Sequence, residues 1–321
     1  MIEVIKTNEM LDNLDKTCVH HYCIASCHFY VYGSELCAAV SAMPGFDPFR
    51  IDGQEGLESE GGLSLVHDTA AAPVFHVCLS ENAFCQESHL QYTFQSDGVD
   101  SEFSSIVSGY LLQMHHDDGT HLDLWSDTAT RVLYLNGDLA PQMLRFALWT
   151  GFGIMTVNYN RIPIHGSCIV NAERAYLFLG ESGTGKSTHT RLWREFIAGS
   201  ALLNDDSPII AAESDGVYIY GSPWSGKTPC YKPLKFPLGG CVRLSQAPYN
   251  KMKRLITLNA YAALHPSCPP EFAYDEELYA GISQTLDAIL SKVPVYHLAC
   301  LPNEAAAQLS HGVMTKNIQE K

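Results

Sequence analysis

The sequence has no apolar run long enough to cross a bilayer, a span that takes about 20 residues. Its richest stretch, residues 147–157, is interrupted by Thr150, Gly151 and Gly153. It is also short of positive charge. Twenty lysines and arginines stand against 35 aspartates and glutamates, a net charge of −15, and a field of that sign repels the phosphates of nucleic acid and of anionic lipid. Neither nucleic acid nor a membrane is expected as a partner. The opening residues Met1, Ile2, Glu3, Val4, Ile5 and Lys6 lack the basic cluster and apolar core of a secretory signal, so the expected location is the cytoplasm. No C-x-x-C pair occurs among the 11 cysteines, and their odd number, scattered from Cys18 to Cys300, does not read as a disulfide framework. Reduced thiols behave as small apolar residues and belong in a core. Thiols and imidazoles do crowd together at Cys18, His20, His21, Cys23, Cys27 and His28. Their spacing is not that of a zinc knuckle, and alternation along a strand would send them to opposite faces. Residues 19–31 are therefore expected as a plain strand.

What is present describes an ordinary globular chain. With 321 residues, 46% of them hydrophobic and 17% charged, it can bury one large core or two modest ones. Residues 1–135 read as a β-rich domain: 74–79 and 90–94 alternate polar and apolar, and glycine and acid punctuate them. The stretch 53–62 reads as an exposed turn, and His115, His116, Asp117, Asp118, Gly119, Thr120 and His121 as a hairpin tip set by Asp118-Gly119. Residues 136–321 carry the chemistry. From Pro141 a helix is outlined by Met143, Leu144, Phe146, Ala147, Leu148 and Trp149, and it is expected to lose definition near Gly151 to Gly153.

The most informative stretch is Gly180-Glu181-Ser182-Gly183-Thr184-Gly185-Lys186-Ser187, which fits the phosphate-loop pattern G-x-x-x-x-G-K-[ST] at every required position. Residues 175–179 read as a buried strand entering it. Leu192, Trp193, Phe196 and Ile197 mark a helix leaving it, with His189, Arg191, Arg194 and Glu195 on the other side. Glycines allow successive N–H groups to face one anion. The cradle is expected from Gly180, Ser182, Gly183, Thr184, Gly185, Lys186, Ser187 and Thr188, with Lys186 reaching the β- and γ-phosphates of ATP and Ser187 holding Mg2+.

Two hairpins bring further groups to that loop. Residues 164–170 and 175–179 flank a turn at 171–174; pairing Val170 with Ala175 sets His165 opposite Gly180, beside the γ-phosphate position. A histidine that merely caps the strand end is the alternative. Residues 201–206 form a strand ending in Asp205-Asp206, where one carboxylate can hold Mg2+ and the other take a proton from an attacking hydroxyl. Pairing Ala212 with Val217 sets Asp206 opposite Pro223. The loop 221–227 then lies beside the acids, with Trp224 walling the pocket and Lys227 either reaching the nucleotide or lying solvated. The rest reads as scaffold: a strand at 239–244, helices at 258–264 and 276–292, a strand at 293–300 and a helix from Asn303-Glu304.

His165-Gly166 in a hairpin leading to the glycine loop, followed by a strand ending in Asp205-Asp206, resembles the catalytic domain of HPr kinase/phosphorylase, over roughly residues 164–241. The core is also similar to that of ATP-dependent phosphoenolpyruvate carboxykinase, which shares Gly183-Thr184-Gly185-Lys186 and an acidic metal site. That family is much longer, and its substrate-binding arginines have no evident counterparts here. The resemblance implies an α/β phosphate-loop domain of this type behind the β-rich N-terminal domain. It also implies an ATP- and Mg2+-dependent kinase in which His165, Lys186, Asp205 and Asp206 are catalytic and Ser187 and Asp206 hold the metal. The phosphoryl acceptor, a protein or peptide serine or a small-molecule hydroxyl, stays open, as does a homo-oligomeric state. The competing class is a nucleotide-responsive binding protein that transfers nothing.

Overall fold

The computed structural model describes residues 14–51, 73–226 and 228–316; the turn expected at 53–62 and Lys227 lie outside the described residues. The chain divides into two compact units, Met1–Thr156 with Glu271–Tyr279, and Val157–Pro270 with Ala280–Lys321. Both mix α and β structure.

The first unit opens with β1 (Val19–Ile24) and β2 (Cys27–Tyr32), an antiparallel pair in which Tyr22 faces Phe29 and Cys23 faces His28. The single strand expected over 19–31 is thus folded back on itself. Ala25 and Ser26 take φ of 51° and 60°, the left-handed angles of a tight hairpin turn, without the Asn or Gly that usually announces one. α1 (Ser34–Ala42) follows, burying Leu36, Cys37 and Val40. Then come β3 (Val74–Leu79), β4 (Ser88–Ser96), β5 (Val99–Ile106), β6 (Gly109–His116), β7 (His121–Asp127), β8 (Val132–Gly137) and α2 (Pro141–Thr156). Among the described residues these strands form one eight-stranded sheet in the order β1-β2-β3-β8-β7-β6-β5-β4. It is mixed, since β3 runs parallel to both β2 and β8. The β6–β7 tip closes where Asp118-Gly119 predicts it: His116 N–H donates to Thr120 O at 2.9 Å and Gly119 takes φ 92°.

α2 corrects two expectations. It continues through Gly151, Phe152 and Gly153 to Thr156, and it belongs to the first unit, so the boundary falls after Thr156 and not at residue 135. Packing supplies the reason for both. A Cβ at Gly151 would lie 2.6 Å from Leu133 Cδ1 and 3.2 Å from Leu124 Cδ1. Glycine here allows helix and sheet to approach closely instead of ending the helix.

The second unit contains β9 (Arg161–Pro163), β10 (Gly166–Asn171), β11 (Arg174–Leu179), α3 (Lys186–Phe196), β12 (Ala201–Asp206), β13 (Ile209–Ala212), β14 (Val217–Tyr220) and β15 (Lys235–Gln246). It continues with β16 (Lys251–Arg254), α4 (Thr257–Leu264), α5 (Glu276–Lys292), β17 (Val295–Cys300) and α6 (Glu304–Lys316); the first residues of α5, Glu276–Tyr279, are grouped with the first unit. The strands run β12-β10-β11-β15-β14-β13-β9, with β17 beside β15 and β16 beside β17. β15 is parallel to β11 and β17 and antiparallel to β14. Ile169, Tyr176, Phe178, Trp193, Val242 and Tyr296 fill the core between this sheet and the helices. His189, expected on the polar side of α3, is buried. Its Nε2 lies 2.9 Å from Ser310 Oγ on α6, the oxygen that also accepts from Trp193 Nε1 at 2.8 Å. α6 covers that face of α3, and burial pushes the His189 imidazole down to about 4.

Candidate active site

β11 ends at Leu179, the loop turns through Gly180, Gly183 and Gly185 with φ of 150°, 80° and 103°, and α3 starts at Lys186 with no side-chain hydrogen bond capping it. The loop is tight at one end and open at the other. A Cβ at Gly180 would meet Thr184 Oγ1 at 2.5 Å, whereas one at Gly183 would meet nothing within 4 Å. Thr184 Oγ1 donates to Glu181 O at 2.8 Å. Lys186 curls back over the loop, its ammonium donating to Gly180 O at 2.8 Å and Glu181 O at 3.2 Å. Burial lowers its pKa, and the charges of Asp206, Glu181 and Asp205 oppose that shift. Ser182 is exposed. Gly183, Thr184, Gly185 and Thr188 border a cavity of about 580 Å3 whose far wall includes Gln246 and Pro248.

The acids and the histidine reach this loop through β10, which pairs with β11 on one side and β12 on the other. Val170 lies opposite Ala175, as the turn chemistry implies, and Ser167 opposite Phe178. On the other edge Ser167 lies opposite Asp205 and Gly166 opposite Asp206. Successive residues of a strand face opposite sides, which separates the two carboxylates. Asp205 is buried, 3% exposed, and accepts a hydrogen bond from Ser187 Oγ at 2.9 Å. Asp206 turns outward, and its carboxylate lies 3.7 Å from His165 Nε2, both side chains about half-exposed. Ser187 therefore pairs with Asp205 and not with Asp206, the acid expected beside it. His165 sits one residue before β10, its N–H held by Ser267 O at 2.7 Å. Burial and then the Lys186 charge lower its pKa, while Asp206 and Glu181 act the other way. Asp206 has φ 151°, a region costly for a residue with a Cβ and one that tends to occur at functional positions.

The loop after β14 closes the other flank. Gly226 N–H donates to Asp205 O at 2.6 Å, and the backbone bridge to Asp206 comes from Ser225. That is two positions beyond the Pro223 expected. The β13–β14 register is as expected, with Ala212 opposite Val217, but it does not carry across Ser207-Pro208, where the chain leaves one strand and enters the next. Trp224 is buried, 4% exposed.

Three contributors were not singled out by sequence reasoning. Asn204, fully buried, donates through Nδ2 to Ser222 O and Trp224 O at 3.2 and 3.3 Å. It also accepts from Ser207 N–H at 2.9 Å, which pins the acidic turn to the flanking loop. Arg243, opposite Leu179 on the parallel neighbour β15, forms an ion pair with Glu181 and donates to Ala263 O at 3.2 Å. Gln246 donates to Gly183 O at 3.1 Å. A charged residue near the C-terminal end of an apolar strand is the signal that marks Arg243; Asn204 carries none apart from its neighbours.

No protein-family model matches the sequence, and no curated protein matches it. Among solved structures, the Hpr(Ser) kinase/phosphatase from Coxiella burnetii aligns over 49% of this chain and 91% of its own, at 10% identity and a TM-score of 0.29. So loose a likeness adds nothing to the geometry above.

Proposed function

We propose that this chain is an ATP- and Mg2+-dependent phosphotransferase acting on a hydroxyl. The observation that carries the reading is the Ser187–Asp205 hydrogen bond of 2.9 Å, made directly behind a glycine loop that fits the phosphate-loop pattern. A hydroxyl and a carboxylate in contact offer two hard oxygens on one side of the loop, the donor set Mg2+ takes. The residues fit the nucleotide as well. Open space at Gly183, an uncapped α3 N-terminus and a buried ammonium suit an anion.

Bound ATP with Mg2+ supplies the phosphoryl group and screens its developing charge. Lys186, whose ammonium rests on Gly180 O and Glu181 O, would hold the phosphates by its charge. Ser187 and Asp205 would hold the ion. Asp206 and His165, on the outward side, receive the acceptor: burial keeps His165 neutral near pH 7, able to take the hydroxyl proton at Nε2, and Asp206 stabilises the imidazolium formed. Arg243 adds positive charge at the rim once Glu181 turns away.

Calorimetry on the purified chain tests the first step. ATP is expected to bind more tightly with Mg2+ than without, with Lys186→Ala weakening binding and Ser187→Ala mainly removing the metal dependence. Absence of binding by any nucleoside di- or triphosphate at millimolar concentration would end the proposal. Binding without transfer to any hydroxyl acceptor favours a nucleotide-responsive binding protein instead.

A further inference from the structure

We propose that Cys18, His20 and Cys37 bind a zinc ion, with a fourth position left to an exchangeable ligand such as water. Among the described residues their ligand atoms form the one group of three that lie within 4.8 Å of one another. The spacing fits a tetrahedral ion. A thiolate held at about 2.3 Å and an imidazole at about 2.0 Å stand about 3.5 Å apart, and Cys18 Sγ lies 3.5 Å from His20 Nε2.

Alternation explains how the cluster arises in a segment that does not look like a zinc motif. Cys18, in the bend just before β1, and His20, within it, are two residues apart and turn to the same side, as their contact shows. His21, Cys23 and His28 occupy the other face, where His21 Nε2 lies 2.9 Å from His28 Nδ1. The third ligand comes from a different element, α1, which no spacing rule within the strand could supply. Gly33 ties the two together: its N–H donates to Cys18 O, and its carbonyl accepts from Cys37 N–H, both at 2.9 Å. Both cysteines are thus anchored to one residue before any ion arrives.

The surroundings supply the rest of a metal site. Ser41 Oγ lies 3.2 Å from His20 Nδ1, an outer contact that fixes the ring and leaves Nε2 for the ion. Two thiolates and a neutral imidazole balance the dication, and binding releases both thiol protons. The Cys37 thiol donates to Val31 O at 3.3 Å, a contact that holds its sulfur beside the other two ligand atoms. Two cysteines and one histidine, the ligands found among the described residues, match the three-ligand set of open zinc sites.

The test is a titration of the full, reduced chain with Co2+, read by thiolate-to-cobalt charge-transfer absorption, followed by displacement with Zn2+. One equivalent is expected to give tetrahedral cobalt–thiolate bands that Zn2+ abolishes. Cys18→Ser and His20→Asn, at partly buried positions, are expected to weaken binding by about a hundredfold or more, and Ser41→Ala by about tenfold. Cys23→Ser, on the opposite face, is expected to change nothing. The proposal is overturned if reduced wild type shows no charge-transfer band, if Cys18→Ser leaves the band unchanged, or if Cys18 and Cys37 close a disulfide under mild oxidation with stoichiometric Zn2+ present.

Discussion

The two carboxylates of Asp205-Asp206 are adjacent in sequence and lie in different surroundings, because a strand sends neighbours to opposite sides. Asp205 is buried on Ser187 and Asp206 is exposed beside His165. Their variants should therefore differ. Asp205→Asn is expected to lower phosphoryl transfer by about a hundredfold or more, through weakened Mg2+ binding that added Mg2+ partly restores. Asp206→Asn is expected to lower it without changing the Mg2+ requirement. His165→Ala should slow transfer and leave ATP affinity near wild type, since the loop, Lys186 and the metal hold the nucleotide without it. Steady-state kinetics at varied Mg2+ separates these outcomes; equal metal dependence in both aspartate variants would remove the division of roles. At this scale the sequence was informative where chemistry is carried by a contiguous motif. The loop, Lys186, Ser187 and the acid pair could all be read directly. Which acid meets Ser187 could not, because that is decided by the phase at which β12 meets its neighbour.

Elements were legible where turn residues are local signals and opaque where they are not. Pairing Val170 with Ala175 across a turn of Asn171 to Arg174 needs no tertiary information, and it carried His165 to the loop. The turn at Ala25-Ser26 has no such signature, so β1 and β2 read as one strand. α1 is absent from the β-rich reading of residues 1–135, since a short helix with three buried positions leaves little periodicity. Gly151 is the sharper case: in sequence a helix glycine marks either an end or a close approach, and only the nearness of Leu133, 2.6 Å from where a Cβ would stand, decides. It follows that Gly151→Val should destabilise the first unit by about 1–3 kcal/mol through overpacking, despite valine's better helix propensity. Urea denaturation checks this, and an unchanged or raised midpoint would mean that α2 has room to shift.

Across the whole molecule, acid outweighs base, and one acid is placed where charge is costly. Glu271 is buried in the first unit, 1% exposed, with no hydrogen-bond partner for Oε1 among the described residues. Burial pushes its carboxyl from 4.5 up to about 7. A raised folded-state value means that the native protein holds a proton the unfolded chain has lost. The stability this confers is complete below about pH 4.5 and is lost as pH rises towards 7, by about 3 kcal/mol in total. Glu271→Gln should flatten that decline, so that its advantage over wild type grows between pH 5 and pH 8. Parallel pH profiles of the two chains would refute the assignment.

β15 has a consequence for the order in which the second unit is made. Its 12 residues pair with β11, which enters the phosphate loop, with β14, which leads to the loop over Asp205, and with β17. The β11 partnership joins Ala175 to Leu238 and so closes a long stretch of chain, a step whose entropy makes parallel pairings slow to form. Until β15 docks, the strand carrying the glycine loop lacks one neighbour and the acids lack their flank. During synthesis the site is therefore among the last parts of this unit to mature. A chain that has emerged from the ribosome only through α3 already contains the whole loop motif, yet it lacks Arg243 and Gln246 of β15, which hold Glu181 and Gly183.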